Sequence, residues 1–165
     1  MADQTLSDRL QPSLLDRLTD NEPGRTEERR EFRVIDVRRL REIIQRDLAW
    51  LLNTNNADTM IDRRRYPNTS VSVLNYGVRE VAGEYSTEER AELIRVSIRR
   101  AIEVYEPRIR PGTVDVELRA ERRMNETIVN FDIRADMWAQ PLPIELYLRT
   151  EVDMTTGEVS LSRSM

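Results

Sequence analysis

An α+β domain is what this 165-residue sequence predicts, on three observations. Two long segments carry apolar residues at the three- and four-residue spacing of helices. From residue 114 onward the period changes to two, as in strands with one wet face. Short polar connections between those later segments suit hairpins, so helices come first and an antiparallel meander follows. The expected architecture is two main N-terminal helices packed on a C-terminal antiparallel sheet, with a short N-terminal helical arm.

The elements follow in order. Residues 1–30 read as the arm and a linker, and 31–165 as a single α+β domain. In "PSLLDRL", Leu14, Leu15 and Leu18 lie at helical spacing behind Ser13, a suitable N-cap. "TDNEPGRTEERRE" is charged and holds Pro23 and Gly24, as a linker does. The arm suits docking on its own domain or in a partner's groove, and both remain open. A helix is predicted from Val37 to Leu52, with Val37, Leu40, Ile44, Leu48 and Leu51 inward and Arg38, Arg41, Glu42 and Asp47 largely on other faces. Asn53, Asn55 and Asn56 end it. "MIDRRRYPNT" reads as a solvated loop despite its three arginines. "SVSVLNYG" offers either a short strand at Val71 and Val73 or an extended stretch into a turn at Gly77.

The second helix opens on a capping box of Ser86 and Glu89 and buries Ile94, Ile98, Ala101, Ile102 and Tyr105. Pro107 ends it, since it disfavours helical geometry at Glu106. Strand patterns then run through Val114, Val116 and Leu118, through Val129, Phe131 and Ile133, through Ile144, Leu146, Leu148 and Val152, and through Val159 and Leu161. Connections such as "ERRMNE" and "MTTGE" fit hairpins, and Pro141 and Pro143 imply a bend or an edge.

Composition narrows the function classes. Hydrophobic residues make up 39% and charged residues 34%, so the chain has a core under a heavily charged surface. The net charge of −4 gives no reason to expect nucleic acid or an anionic membrane as partner. Every basic residue is arginine, which GC-rich coding explains more readily than function does. Without cysteine or histidine there is no thiolate metal site, no cysteine nucleophile and no imidazole base. No phosphate loop, EF-hand, zinc motif or serine elbow is present, so no cofactor or metal is expected. The N-terminal residues lack a leader pattern and no run is long enough for a membrane span, which makes a cytoplasmic protein the expectation.

One corner stands out, "YEPRIRPG". Glu106 sits where a helix ends, the end that favours cations, so it breaks a local rule. Pro107 should hold Glu106 extended, which places Glu106 and Arg108 on one face roughly 7 Å apart. An acceptor-only group beside a donor-only group suits two roles: an internal bridge that caps the corner, or a grip on an extended segment of another chain. A catalytic role fits poorly, because an arginine beside a carboxyl favours the ionised form, the opposite of what a glycosidase acid needs.

The order of "SLLDRL", "DLAWLLNT", "SVLNYG", the helix closing on "EPR" and the terminal strands resembles the TssE family of type VI secretion baseplate components, similar to the phage baseplate wedge protein once labelled a lysozyme. The resemblance implies a structural, non-enzymatic wedge subunit that docks and nucleates the contractile sheath. It implies that Glu106, Pro107 and Arg108 bind the sheath, by strand addition, and that Leu14, Leu15, Asp16, Arg17 and Leu18 hold other wedge subunits. The implied partners are wedge proteins of the TssF, TssG and TssK type and sheath proteins of the TssB and TssC type, in a cytoplasmic baseplate docked at the inner-membrane complex. Relatives often carry a basic residue after Leu-Asn-Thr, where this chain has Asn55. Peptidoglycan hydrolysis, from the old label, and an anti-adaptor-like binding module are the alternatives. Alanine at Glu106 or Arg108 is expected to leave folding nearly intact while stopping sheath assembly.

Overall fold

The computed structural model describes residues 13–19, 23–24, 36–80, 87–119, 128–138 and 143–163. Its helices are α1 (Leu14–Leu18), α2 (Val37–Leu52) and α3 (Thr87–Tyr105). Its strands are β1 (Asp115–Leu118), β2 (Ile128–Met137), β3 (Ile144–Asp153) and β4 (Val159–Arg163). The sheet is an antiparallel meander in the order β1-β2-β3-β4. The expected α+β arrangement is therefore the observed one.

α2 begins where Asp36 accepts the Arg39 N–H at 2.6 Å, an N-cap that satisfies a free donor of the first turn. Its buried side is wider than predicted, adding Ile43 and Leu52 to Leu40, Ile44, Leu48 and Leu51. α3 buries Ala91, Ile98, Ala101 and Ile102, with Ile94 and Tyr105 packed alongside. The start of that helix at Ser86 lies outside the described residues, as do Pro141 and the connection 121–126. On the sheet, Val116, Phe131, Ile133, Ala135, Met137, Leu146, Leu148, Val152 and Val159 point at the helices, so one core draws on both long helices and all four strands. The alternation sends Asp132, Arg134, Arg149 and Glu151 to the other face, as a half-wet sheet requires. Leu118, expected inward, is 51% exposed at the end of the edge strand.

The segment after α2 departs from one of the two predicted readings. No strand forms at Val71 and Val73; Thr69–Val71 and Val73–Asn75 are short 3-10 turns. Side chains and the backbone supply local partners that a strand would need from a neighbour. Ser72 caps the Leu74 N–H, and the Tyr105 hydroxyl reaches the carbonyls of Ser72 at 3.0 Å and Asn75 at 2.7 Å. The turn at Gly77 is present, with φ of +118°. A Cβ there would sit 2.1 Å from the Thr54 carbonyl oxygen, because the chain closes back on the end of α2, where the Val78 N–H donates to that oxygen at 2.8 Å.

The sheet edges are closed from the helices. Asn53 accepts the Val159 N–H at 2.9 Å and donates to its carbonyl at 2.8 Å, and Gln45 donates to the Leu161 carbonyl at 3.3 Å. On the opposite edge, Arg95 reaches the Val116 carbonyl at 3.5 Å.

Candidate functional site

The corner between α3 and the sheet is a turn. The Glu106 N–H still donates to the Ile102 carbonyl at 3.0 Å, completing the helix. Pro107 has no N–H to continue the ladder, and the Ile109 N–H instead donates to the Glu106 carbonyl at 3.1 Å. Pro107 thus occupies the second position of a four-residue turn, which its fixed φ suits. The turn brings the two charged groups together, where an extended run would have kept them apart. Arg108 Nε donates to Glu106 Oε1 at 2.6 Å, Arg108 Nη2 to Oε2 at 2.5 Å, and the Arg108 backbone N–H to Oε1 at 3.1 Å. Glu106 is only 5% exposed. This is the internal bridge, one of the two roles left open by the sequence.

Past the turn the chain enters the sheet directly. The Trp138 N–H donates to the Arg108 carbonyl at 2.8 Å, and the Arg110 N–H donates to the Asp136 carbonyl at 2.8 Å. Ile109 pairs opposite Met137. Pro111 and Gly112, the latter at φ +77°, then make a second turn, closed by the Thr113 N–H on the Arg110 carbonyl at 3.3 Å, and the Thr113 hydroxyl takes the Asp136 N–H at 3.1 Å. β1 resumes the pairing at Asp115.

A residue that sequence reasoning placed on an outer face completes the site. Asp47 of α2 accepts from Arg108 Nη2 at 2.7 Å. Burial disfavours the charge on Arg108, but Glu106 and then Asp47 outweigh it and hold the guanidinium more firmly protonated than usual. Tyr76 lies close by: its phenol is pushed up by burial, then by the charges of Asp47 and Glu106. Asp47 had a signal of its own. An aspartate in the second half of a helix runs against both propensity and dipole, the same kind of local misfit that marks Glu106.

The arm residues lie apart from the corner turn, against α2. α1 buries none of its residues, and Leu14, Leu15 and Leu18 are 70%, 47% and 74% exposed. Its charged side turns inward: Arg46 of α2 donates to both oxygens of Asp16, at 2.6 and 3.2 Å. Those bonds hold the Asp16 carboxyl below the usual range, against the opposing effect of burial, with help from Ser13. Arg17 is exposed. Among the described residues no group of acids is placed to hold a metal ion, and no helix is long and apolar enough to cross a membrane.

Comparison with known proteins matches residues 38–142, well over half of the chain, to the family described as baseplate wedge protein gp25. The match runs from α2 through β2 and includes the corner; the arm lies outside it. No curated protein and no solved structure matches. A helical half packed on an antiparallel meander, joined through an ion-paired Glu-Pro-Arg turn, is thus the form this chain gives to a known kind of structural component: it belongs to the baseplate wedge protein gp25 family, which includes TssE.

Proposed function

We propose that the chain is a type VI secretion wedge subunit that seats the first layer of a contractile sheath. Glu106, Pro107 and Arg108 form the sheath-facing grip, and Leu14, Leu15, Asp16, Arg17 and Leu18 contact other wedge subunits. Residues 1–30 act as arm and linker to a wedge domain of residues 31–165. The partners are wedge proteins of the TssF, TssG and TssK type and sheath proteins of the TssB and TssC type. The site of action is a cytoplasmic baseplate docked at the inner-membrane complex, and the role involves no catalytic step.

The observation that carries this reading is the continuity of the corner with a sheet edge. The ion-paired turn passes into backbone already paired with β2, so a strand laid along β1 would end beside Glu106 and Arg108. The two edges are not equally open. Among the described residues, β4 is held by two short bonds from Asn53 and a longer one from Gln45, whereas the side-chain bond to the β1 backbone is a single long one from Arg95. Strand addition along β1 therefore displaces less.

The burial of Glu106 changes the choice of variants. Alanine at either position strips a desolvated charge of its partner, so the expectation of nearly intact folding no longer suits it. Glu106→Gln and Arg108→Lys keep most of the volume while removing the bidentate charge pair. Both should fold, by circular dichroism, and both should abolish sheath assembly followed in cells with a fluorescent sheath subunit. Normal assembly in the two folded variants would remove the corner from this role.

A further inference from the structure

Asp47 gives one carboxylate oxygen to each of two arginines. Its Oδ1 accepts from Arg46, at 3.0 Å from Nε and 2.7 Å from Nη2, and its Oδ2 accepts from Arg108 Nη2 at 2.7 Å. Arg46 also holds Asp16 of the arm, and Arg108 also holds Glu106 of the corner. Glu106, Arg108, Asp47, Arg46 and Asp16 therefore form one line of alternating charge without a gap. It joins two segments that are far apart in sequence, and among the described residues α2 is the element between them that contributes to it.

The line has the properties that let one end influence the other. Its side chains are from 5% exposed at Glu106 to 33% exposed at Arg46, so solvent and salt screen it less than a surface pair. Each arginine is a planar fork shared between two carboxylates, so its orientation is set by both. With Asp16 removed, Arg46 keeps, among the described residues, Asp47 and its stacking over Trp50, 5.0 Å from the ring centre. The Asp47 carboxylate then turns more freely, and Arg108 loses a fixed second anchor. α1 buries no residue, so this ion pair is its polar attachment to α2 and sets its register there.

We infer that Asp47 is a positioning residue through which docking of the arm sets the geometry of the corner. Arm docked with corner fixed is one state, and arm released with corner loosened is the other. Because coupling between sites is reciprocal, a partner that binds the exposed leucines of the docked arm firms the corner, and a partner on the corner firms the arm. The functional meaning rests on the proposed docking role, but the coupling is a property of the isolated protein.

The test is proton exchange at the Arg108 Nε–H, which donates to Glu106 Oε1, measured by NMR on the full chain. Asp16→Asn and Asp47→Asn should each speed that exchange by about fivefold, the lower end of ordinary coupling between sites. Arg17→Gln, on the same helix but outside the line, should leave it unchanged, and so should the Ala57 N–H, bonded to Asn75, in all three variants. The inference is overturned if Asp16→Asn exchanges like the wild type, or if Arg17→Gln speeds exchange equally, since loss of the helix alone would then be the cause. Because no partner is present, failed sheath assembly and failed coupling are separate results: coupling that persists while Glu106→Gln and Arg108→Lys assemble sheaths supports the line and removes only the docking role.

Discussion

Two nearly buried carboxylates hold two different segments of this protein, and their surroundings differ in kind. Asp58, with a side chain 8% exposed, sits under the loop between α2 and α3. It takes hydrogen bonds from Asn75, at 2.9 Å, and from Arg63, and lies 3.9 Å from Arg100 of α3. Asn75 turns back on the same loop, donating to the Ser70 carbonyl at 3.0 Å and accepting the Ala57 N–H at 3.0 Å. That web closes on itself. Glu106 is as well buried, but its arginine passes on to Asp47 and, through Arg46, to the arm. A closed web stabilises one segment, while an open line makes distant segments share a state. Burial and full hydrogen bonding alone do not tell the two apart; the second partner of each arginine does.

The largest expected effect lies at the corner. Glu106→Ala should cost about 3 kcal/mol in chemical denaturation, because among the described residues it leaves a partly buried guanidinium with Asp47 as its remaining acid. Glu106→Gln, which keeps an acceptor, should cost about 1 kcal/mol. A loss below about 1 kcal/mol for the alanine variant would mean that water replaces the carboxylate, and the corner would then resemble an ordinary surface pair.

The corner also shows what the sequence could and could not disclose. Periodicity located both long helices and all four strands, because burial on one face writes itself into spacing regardless of the partner. Pro107 marked the end of α3 for an equally local reason. The geometry of Glu106 and Arg108 was not legible, since a turn and an extended run obey the same proline restriction and differ only in a bond to Ile109. Asp47 and Arg46 were missed because they meet their partners through folding, across α2. The exposed tips Val71 and Val73 looked strand-like because β-branched residues raise that expectation, yet capping by Ser72 and the reach of Tyr105 decided the turn.

Asp58 should be the smaller of the two anchors. Asp58→Ala should cost about 2 kcal/mol, since Arg63 and Arg100 keep access to water and only Asn75 is left buried and short of a partner. Acid should erase the difference. Burial alone would raise the Asp58 carboxyl, but Asn75 and Arg63, with the charge of Arg100, hold it below its ordinary value of 3.8. A carboxyl depressed in the folded state contributes stability that is complete above its unfolded value and is lost as pH falls through its folded value. The gap between the wild type and Asp58→Asn should therefore be constant near neutrality and narrow between about pH 5 and pH 2. A gap that widens in that window would reverse the sign of the shift and remove the ionised web.

The smallest effect tests whether the loop is held by its polar web or by its apolar tips. Val73 and Leu74 are 80% and 77% exposed, so a serine at either position removes little area from contact with the core. The hydrophobic contribution scales with area taken out of water, and almost none is taken here. Val73→Ser and Leu74→Ser should each change stability by no more than about 0.5 kcal/mol. A cost above about 1 kcal/mol would show that these tips pack against something in solution. The contrast would then fail on the side of Asp58, because its loop would be held by apolar contact as well as by the closed web. With the small value, the polar web carries the loop, and the distinction between a closed web at Asp58 and an open line at Glu106 stands on both of its sides.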